Sequence, residues 1–382
     1  MNRDILHHLR ETIRLAVPVA IGQLGHVMLN VTDSLMVGSL GPAPLAAAAL
    51  GGSIFILMLV FAAGMSSAIT PLTAIACGEN RHEEAGIVYR QGLLLNSGIG
   101  LLLIAISWLL SHFLDALHQP EHVVILAQPY LQIISFSFVP MMVFMSSRNF
   151  IEGQSFTRPA MVVIILANGV NIAGNWVLIY GKLGFPALGL NGAAYSSLLV
   201  EVFSAVAIVW YILRSPRFAR YQPILEFRSF NTRVQSRILR IGMPSGLQYV
   251  FEAGSFSVSA VMMGWIGAKA LAAHQIAINL ASVSFMIILG ISNAATIRVG
   301  NAVGRRDAQQ VRIAGFTAWL LAVGLMSLAA VAFVVFRHAL PALYVDDPEV
   351  IRIAAGLLIF AAIFQLSDGS QVVGHGSLRG MT

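Results

Sequence analysis

Asp33, Glu201, Glu252 and Asp368 each stand inside a stretch of otherwise apolar residues. An acid at membrane depth costs about 2.5–3.5 kcal/mol on insertion scales, and such residues usually face a cavity and belong to an ion or proton path. A carboxylic acid is cheaper to bury uncharged than as the carboxylate, which makes proton exchange one chemistry open to them. A bound Na+ is the other, because hard cations take oxygen ligands.

Their neighbours strengthen three of the four. Gln23, His26, Asn30 and Asp33 are spaced 3, 4 and 3, so a helix places them on one face. Gln248, Glu252, Ser255 and Ser259 are spaced 4, 3 and 4 and do the same. Asn168, Asn171 and Asn175 make a third stripe, and Gln365 and Asp368, three apart, can face a common site. Polar stripes in membrane helices also serve as interhelical glue. That reading stands beside the asparagine stripe and beside Glu201, which has no polar stripe of its own. It fits Asp33, Glu252 and Asp368 less well, since an acid is a costly glue. His26 alone also reads as a bundle histidine with a satisfied ring. The methionines Met28, Met36, Met141, Met142, Met145, Met262 and Met263 either line a forgiving cavity or pack against helices and lipid.

The elements that must carry these residues are apolar spans near 15–40, 46–76, 87–111, 123–147, 159–181, 192–213, 239–265, 271–300, 311–336 and 350–374. Hydrophobic residues make up 57% of the 382 and charged residues only 10%, against about 25% charged in soluble domains. The chain therefore reads as an all-α polytopic membrane protein. Pro18, Pro71, Pro140 and Pro244 fall inside spans, which a bundle tolerates because neighbouring helices can satisfy the freed backbone groups. Strand-like alternation is absent, which argues against a transmembrane barrel. The first span is too long for a signal-peptide core and no small-residue cleavage site follows it. A lone cysteine, Cys77, rules out an internal disulfide and a cysteine-based metal site.

The spans repeat at one offset. Gly38 pairs with Gly264, and 264 − 38 = 226. The same offset pairs Pro18 with Pro244, Leu45-Ala46-Ala47 with Leu271-Ala272-Ala273, and Ala76 and Gly78 with Ala302 and Gly304. Internal duplication of this kind is common in transporters. It divides the chain into an N-terminal six-helix lobe over 1–214, a linker over 215–237 and a four-helix second lobe over 238–382. Under the offset Glu252 takes the place of His26, and Ser259 that of Asp33. Glu152-Gly153 matches Arg379-Gly380, which precede an eleventh span in the repeat scheme, so ten of an expected twelve helices are present.

Basic residues set the topology. Arg3, Arg10, Arg14, Arg81, Arg90, Arg148, Arg158, Arg298, Arg305, Arg306, Arg312 and Arg379 fall on one side. They are joined there by Arg214, Arg217, Arg220, Arg228, Arg233, Arg237 and Arg240 of the linker. Only Lys182, Lys269, Arg337 and Arg352 fall on the other. The positive-inside rule makes the N-terminus and linker cytoplasmic. The net charge of +6 is then explained by orientation and lipid headgroups, without a nucleic-acid partner.

Together these residues resemble the multidrug and toxic compound extrusion (MATE) family in its NorM-like bacterial branch. The resemblance is carried by Pro18 to Gln23, Asp33-Ser34-Leu35-Met36-Val37-Gly38 and Leu45-Ala46-Ala47. In the second copy it is carried by Pro244, Glu252, Met263-Gly264, Leu271-Ala272-Ala273-His274-Gln275 and Phe364-Gln365-Leu366-Ser367-Asp368-Gly369. It implies two six-helix lobes around a central cavity in a bacterial inner membrane. It also implies exchange of inward Na+ or H+ for outward organic compounds, often cationic. Asp33 matches the first-helix acid of cation or proton coupling, and Glu252 with Asp368 the acid pair of a second-lobe cation site. Asn171 and Asn175 match polar residues near that first acid. Gln23, His26, Asn30, Gln248 and Gln365 complete the candidate polar lining. No role passes to Glu201.

The expected partners are drugs or toxic organic cations, Na+ or H+ as the coupling ion, and membrane lipid, with the protein a monomer and no further cofactor. His375, between Gly374 and Gly376, stands where a small apolar residue is expected. A lipid-linked oligosaccharide flippase is a second reading, but it calls for a basic central cavity, and the arginines here sit at span ends. An inactive truncated product is a third, with the second lobe short of two helices. An enzyme is not expected, since no G-x-S-x-G or H-E-x-x-H motif is present.

Overall fold

The computed structural model describes residues 2–117, 119–221 and 230–382. Stretch 222–229 of the linker, with Arg228, lies outside the described residues. The described chain is helical, with no strand among the described residues. Its helices are α1 (Asn2–Gly38), α2 (Pro42–Ser66), α3 (Ile69–Gly78), α4 (His82–Ser111), α5 (Glu121–Ser135), α6 (Phe138–Gly153), α7 (Arg158–Tyr180) and α8 (Leu190–Arg214). The short α9 (Pro216–Ala219) follows, then α10 (Thr232–Ile266), α11 (Ala268–Gly304), α12 (Ala308–Val335), the short α13 (Ala339–Ala342) and α14 (Pro348–Arg379).

Each of the ten expected spans coincides with a long helix or a broken pair, with two differences of detail. Span 46–76 is α2 followed by α3, and span 123–147 is α5 followed by α6, bent by 41°. Proline places both breaks. Pro71 and Pro140 each lack an N–H and crowd the carbonyl four residues back, at Ser67 and Phe136. The two interruptions fall there, at Ser67-Ala68 and Phe136-Ser137. The second difference concerns α10. Among the described helices eight, or nine with the bent pair, are long and apolar enough to cross a membrane, and the 35-residue α10 is not among them. Glu252 and the serines of its polar stripe interrupt its apolar run.

By contact the chain forms two compact units, Gly25–Val250 and Met1–Leu24 with Phe251–Thr382. The chain passes from one to the other inside α1, after Leu24, and inside α10, after Val250, and 250 − 24 = 226. The first part of each of these helices is fastened by small residues. In one unit Gly64 of α2 meets Gly246 of α10 backbone to backbone, and a Cβ on Gly64 would lie 2.5 Å from the Gly246 Cα. In the other, a Cβ on Gly290 of α11 would lie 2.6 Å from the carbonyl of Ala16 in α1. The pairs are repeat mates, since 290 − 64 = 226 and 246 − 20 = 226, Ala20 also lying against Gly290. Close backbone approach through small residues is the usual way membrane helices associate.

The offset grows by one residue later in the chain. Gly153 rests on the carbonyl of Thr70 and Gly380 on that of Thr296, with 296 − 70 = 226 but 380 − 153 = 227. Thr70 donates to the carbonyl of Asn149, and Thr296 to that of Gly376, again 227 apart. This bears out the match of Glu152-Gly153 to Arg379-Gly380.

Around these contacts, the Gly25–Val250 unit packs Phe150 against Tyr89, with ring centroids 4.4 Å apart, and against Phe218 and Tyr221. The other unit packs Ile288, Ile291 and Ala295 of α11 against Met326 of α12 and Val373 of α14. Asp307 and Asp347 start α12 and α14 by accepting backbone N–H bonds, Asp307 from Gln310 and Asp347 from Glu349 and Val350. Arg298 of α11 holds the first turns of α1 by donating to the His8 carbonyl (2.8 Å) and to Thr12 Oγ1 (2.5 Å).

Candidate functional site

Asp33 lies near the end of α1 and collects three side-chain donors. Asn171 Nδ2 and Asn175 Nδ2, one turn apart on α7, donate to its Oδ1 at 2.9 and 2.6 Å. Ser197 of α8 donates to Oδ2 at 3.3 Å. Both asparagines are buried, at 1% and 0% exposure, so their amides are committed to the acid. Asn168, a turn earlier, donates to the carbonyls of Gly25 and Ile164 and fastens α7 to α1 instead. The asparagine stripe is therefore divided between glue and site. Three neutral side chains thus donate to the one carboxyl, and among the described residues no basic side chain forms an ion pair with it.

The rest of the first stripe is dispersed. The unit boundary passes between Gln23 and His26. Asn30 is exposed and Gln23 half-buried. His26 sits edge-on to Phe144 of α6, with centroids 6.3 Å apart, and within the field of Arg148. Arg148 in turn pairs with Glu152, a turn on along α6, at 3.5 Å. Exposure of 14% and 2% makes this a buried ion pair. The sequence reading used Arg148 as a topology marker and Glu152 as a repeat landmark, and found neither the pair nor Ser197. Opposite charges spaced i, i+4 at a span end were the available signal for the pair. Nothing in the sequence singles out Ser197.

In the second copy Glu252 of α10 and Asp368 of α14 act electrostatically on each other, and His375 and Arg379 act on Glu252. No cluster of three or more His, Cys, Asp or Glu suited to a metal ion occurs among the described residues. Gln365 is buried; its Oε1 accepts from Ser284 Oγ of α11, and its Nε2 has no hydrogen-bond partner among the described residues. Gln248 is half-buried on α10, on the other side of the unit boundary from Glu252. Ser255 and Ser259 bond back to the carbonyls of Phe251 and Ser255 within α10. Glu201 lies one turn after Ser197, half-buried on α8. An apolar groove between α12 and α14, lined by Val331, Val334, Ile359, Ile363 and neighbours, holds none of the polar candidates.

The MatE family profile matches residues 18–177 and 244–382, two stretches beginning 226 residues apart. A probable multidrug resistance protein NorM of Rhizobium meliloti (strain 1021) is 34% identical over 379 residues, covering 98% of this chain and 81% of the relative. The multidrug resistance protein MdtK of Yersinia pseudotuberculosis serotype O:1b (strain IP 31758) is 34% identical over 374 residues, covering 97% and 81%. Among solved structures, a MATE protein in complex with MaD3S superposes with a TM-score of 0.87 at 23% identity, covering 98% of this chain and 83% of that one. An outward-facing multidrug resistance MATE transporter of the MOP superfamily superposes with a TM-score of 0.86 at 22% identity, with the same coverage. These likenesses carry the fold, and the apolar helices with bacterial NorM and MdtK relatives fit a multi-pass inner-membrane protein. The chain belongs to the MATE family of transporters.

Proposed function

We propose that this protein is a multidrug efflux antiporter, exporting organic and often cationic compounds in exchange for inward Na+ or H+ by alternating access. The observation that carries this is Asp33, a membrane-depth acid held by Asn171, Asn175 and Ser197 and, among the described residues, by no basic group. The relatives named for multidrug resistance support efflux over a lipid-linked oligosaccharide flippase and over an inactive product. The arginine distribution supports a cytoplasmic N-terminus.

In this mechanism a proton or Na+ arriving from outside neutralises Asp33, or the Glu252–Asp368 pair. Either removes the charge that attracts a cationic drug, so the drug is released outward. Coupling follows because ion and drug favour different states, and a ligand shifts a population only through differential affinity. Gln23, His26, Asn30, Gln248 and Gln365 supply polar contacts to the substrate. The protein's role is binding and exchange, with no bond made or broken.

The test is a cationic dye trapped in vesicles containing the chain, under an imposed Na+ gradient, an imposed H+ gradient, or neither. Uphill dye movement under one ion gradient is expected. Movement of a labelled lipid with no dye movement would replace efflux by lipid flipping. Conductance without uphill accumulation would make the protein a channel.

A further inference from the structure

The apolar groove between α12 and α14 has a counterpart in the first copy that is closed. Helix starts align the copies here. Arg81 precedes α4 as Asp307 precedes α12, and 307 − 81 = 226. Pro120 precedes α5 as Asp347 precedes α14, and 347 − 120 = 227. Val334 and Ile363 of the groove therefore correspond to Trp108 (334 − 226 = 108) and Phe136 (363 − 227 = 136). Those two rings meet edge to face across the first seam, with centroids 6.0 Å apart. Beside them Gln132 of α5 donates to Ser111 of α4 at 3.0 Å. Its repeat mate is Ile359 (359 − 227 = 132), and that of Ser111 is Arg337 (337 − 226 = 111). The four residues that close the first seam are thus two aliphatics, an isoleucine and an arginine in the second.

The result is a groove of about 330 Å³ lined by aliphatic side chains, among them Val331, Val334 and Val335 of α12 and Ile359, Ile363 and Leu366 of α14. The first seam shows that this is an outward face, since Trp108 and Phe136 stay 41% and 46% exposed with α7 and α8 in place. A pocket for an organic molecule usually carries a few polar groups that orient it. This lining carries none, which suits plain hydrocarbon. At one end the character changes. Arg337 comes two residues after Val335, and the repeat sets it across the seam from Ile359. Arg352 lies seven residues before Ile359 on the same face of α14, about 10 Å along the axis at 1.5 Å per residue. Arg337 is half-buried and Arg352 exposed. Of the four basic residues on this side of the chain, Lys269 is taken by Asp347 and Glu349. Neither arginine forms an ion pair among the described residues, with exposed Asp346 or with any other acid.

We propose that the α12–α14 groove is a phospholipid site, seating one acyl chain of an anionic phospholipid whose phosphate is held by Arg337 and Arg352. Lipid tails are as apolar as leucine, so the tail gains packing contacts and no hydrophobic free energy over the bilayer. The headgroup then carries the choice of lipid. A guanidinium meets phosphate oxygens with paired N–H donors, and a zwitterionic headgroup would bring its own cation up to the two arginines. The first copy, with Trp108 and Phe136 in the seam and Ser111 in place of the arginine, has no such site.

The experiment is photo-crosslinking of the full chain in nanodiscs of equal parts phosphatidylglycerol and phosphatidylcholine. A diazirine is carried on the acyl chain of one lipid or of the other, and the labelled peptides are located by mass spectrometry. Residues 330–366 are expected to be labelled several-fold more by phosphatidylglycerol than by phosphatidylcholine, with no such preference over 104–139 of the first copy. Arg337→Gln with Arg352→Gln is expected to abolish the preference. Val334→Trp with Ile363→Phe, which imports the first-copy ring pair, is expected to remove the groove label itself. Thermal unfolding checks that each variant is folded, and Ile363→Phe alone, with a partial loss of label, replaces the double variant should that one not fold. Equal labelling by the two lipids, or a preference unmoved by the arginine variant, overturns the headgroup site. Label undiminished by filling the groove overturns the acyl-chain seat. Chain-to-chain cross-links at this face in place of lipid would make it an interface between copies and overturn the proposal.

Discussion

Asp33 and Glu252 stand on repeat-related helices, yet their surroundings differ in kind. Asp33 is held by three neutral donors from α7 and α8. Glu252 lies in the electrostatic field of His375, Arg379 and Asp368, with no neutral donor of its own among the described residues. The counterpart of Asp33 is Ser259, which bonds to its own helix. Duplication has therefore copied the scaffold and divided the chemistry. One copy holds its acid by neutral donors from two neighbouring helices. The other sets its acid among charged groups.

The sharpest break of this comparison is Glu252→Gln with Asp368→Asn. Ion-driven dye efflux is expected to fall to the level of empty vesicles, and unchanged efflux would remove the pair from the mechanism. Arg148→Met comes next, tested by denaturation. Removing one partner of a buried ion pair costs about 3–5 kcal/mol, so a large loss of stability is expected, whereas His375→Gln at the matching position is expected to change stability little. Equal losses at the two positions would mean that the ion pair does not set Arg148 apart from its repeat mate.

Asn175→Ala takes one donor from Asp33 and leaves two. A hydrogen bond to a charged group contributes about 1.5–3 kcal/mol, which corresponds to roughly a tenfold or greater change in the ion or proton concentration giving half-maximal efflux. No shift would mean that the donors do not tune the acid. The smallest effect is expected at Asp347, outside the spans. Backbone N–H bonds, first from Glu349, together with Lys269 hold its carboxyl below the usual aspartate range. A depressed value contributes stability above the unfolded value of about 3.9 and loses it as pH falls through the folded one. Asp347→Asn should therefore lower the melting temperature slightly near pH 6 and leave it unchanged once both forms are protonated. A difference that persists at low pH would make the effect one of packing.

Much of this was legible before any coordinates. The apolar spans, the offset of 226 and the Asn171–Asn175–Asp33 grouping follow from spacing and resemblance, because helical periodicity puts such residues on one face. Three features were hidden for identifiable reasons. The match of Glu152-Gly153 to Arg379-Gly380 already carried a one-residue shift, but the constant offset of 226 sets His375 opposite Asn149 instead of Arg148. Ser197 is one small residue among several on α8, and only the depth of Asp33 selects it. The breaks before Pro71 and Pro140 could have been placed from the carbonyl four residues back, whereas the exposure of Asn30 depends on packing that periodicity does not contain.

The most direct measurement is equilibrium binding of a cationic dye to the purified chain across Na+ concentration and pH. Exchange at shared carboxylates requires the dye dissociation constant to rise with Na+ or with acid. By reciprocity, the dye must weaken ion binding by the same factor. Both effects should diminish in Asp33→Asn and in the Glu252→Gln, Asp368→Asn variant. Dye affinity indifferent to both ions, or an ion dependence untouched by those substitutions, would contradict coupling through these acids.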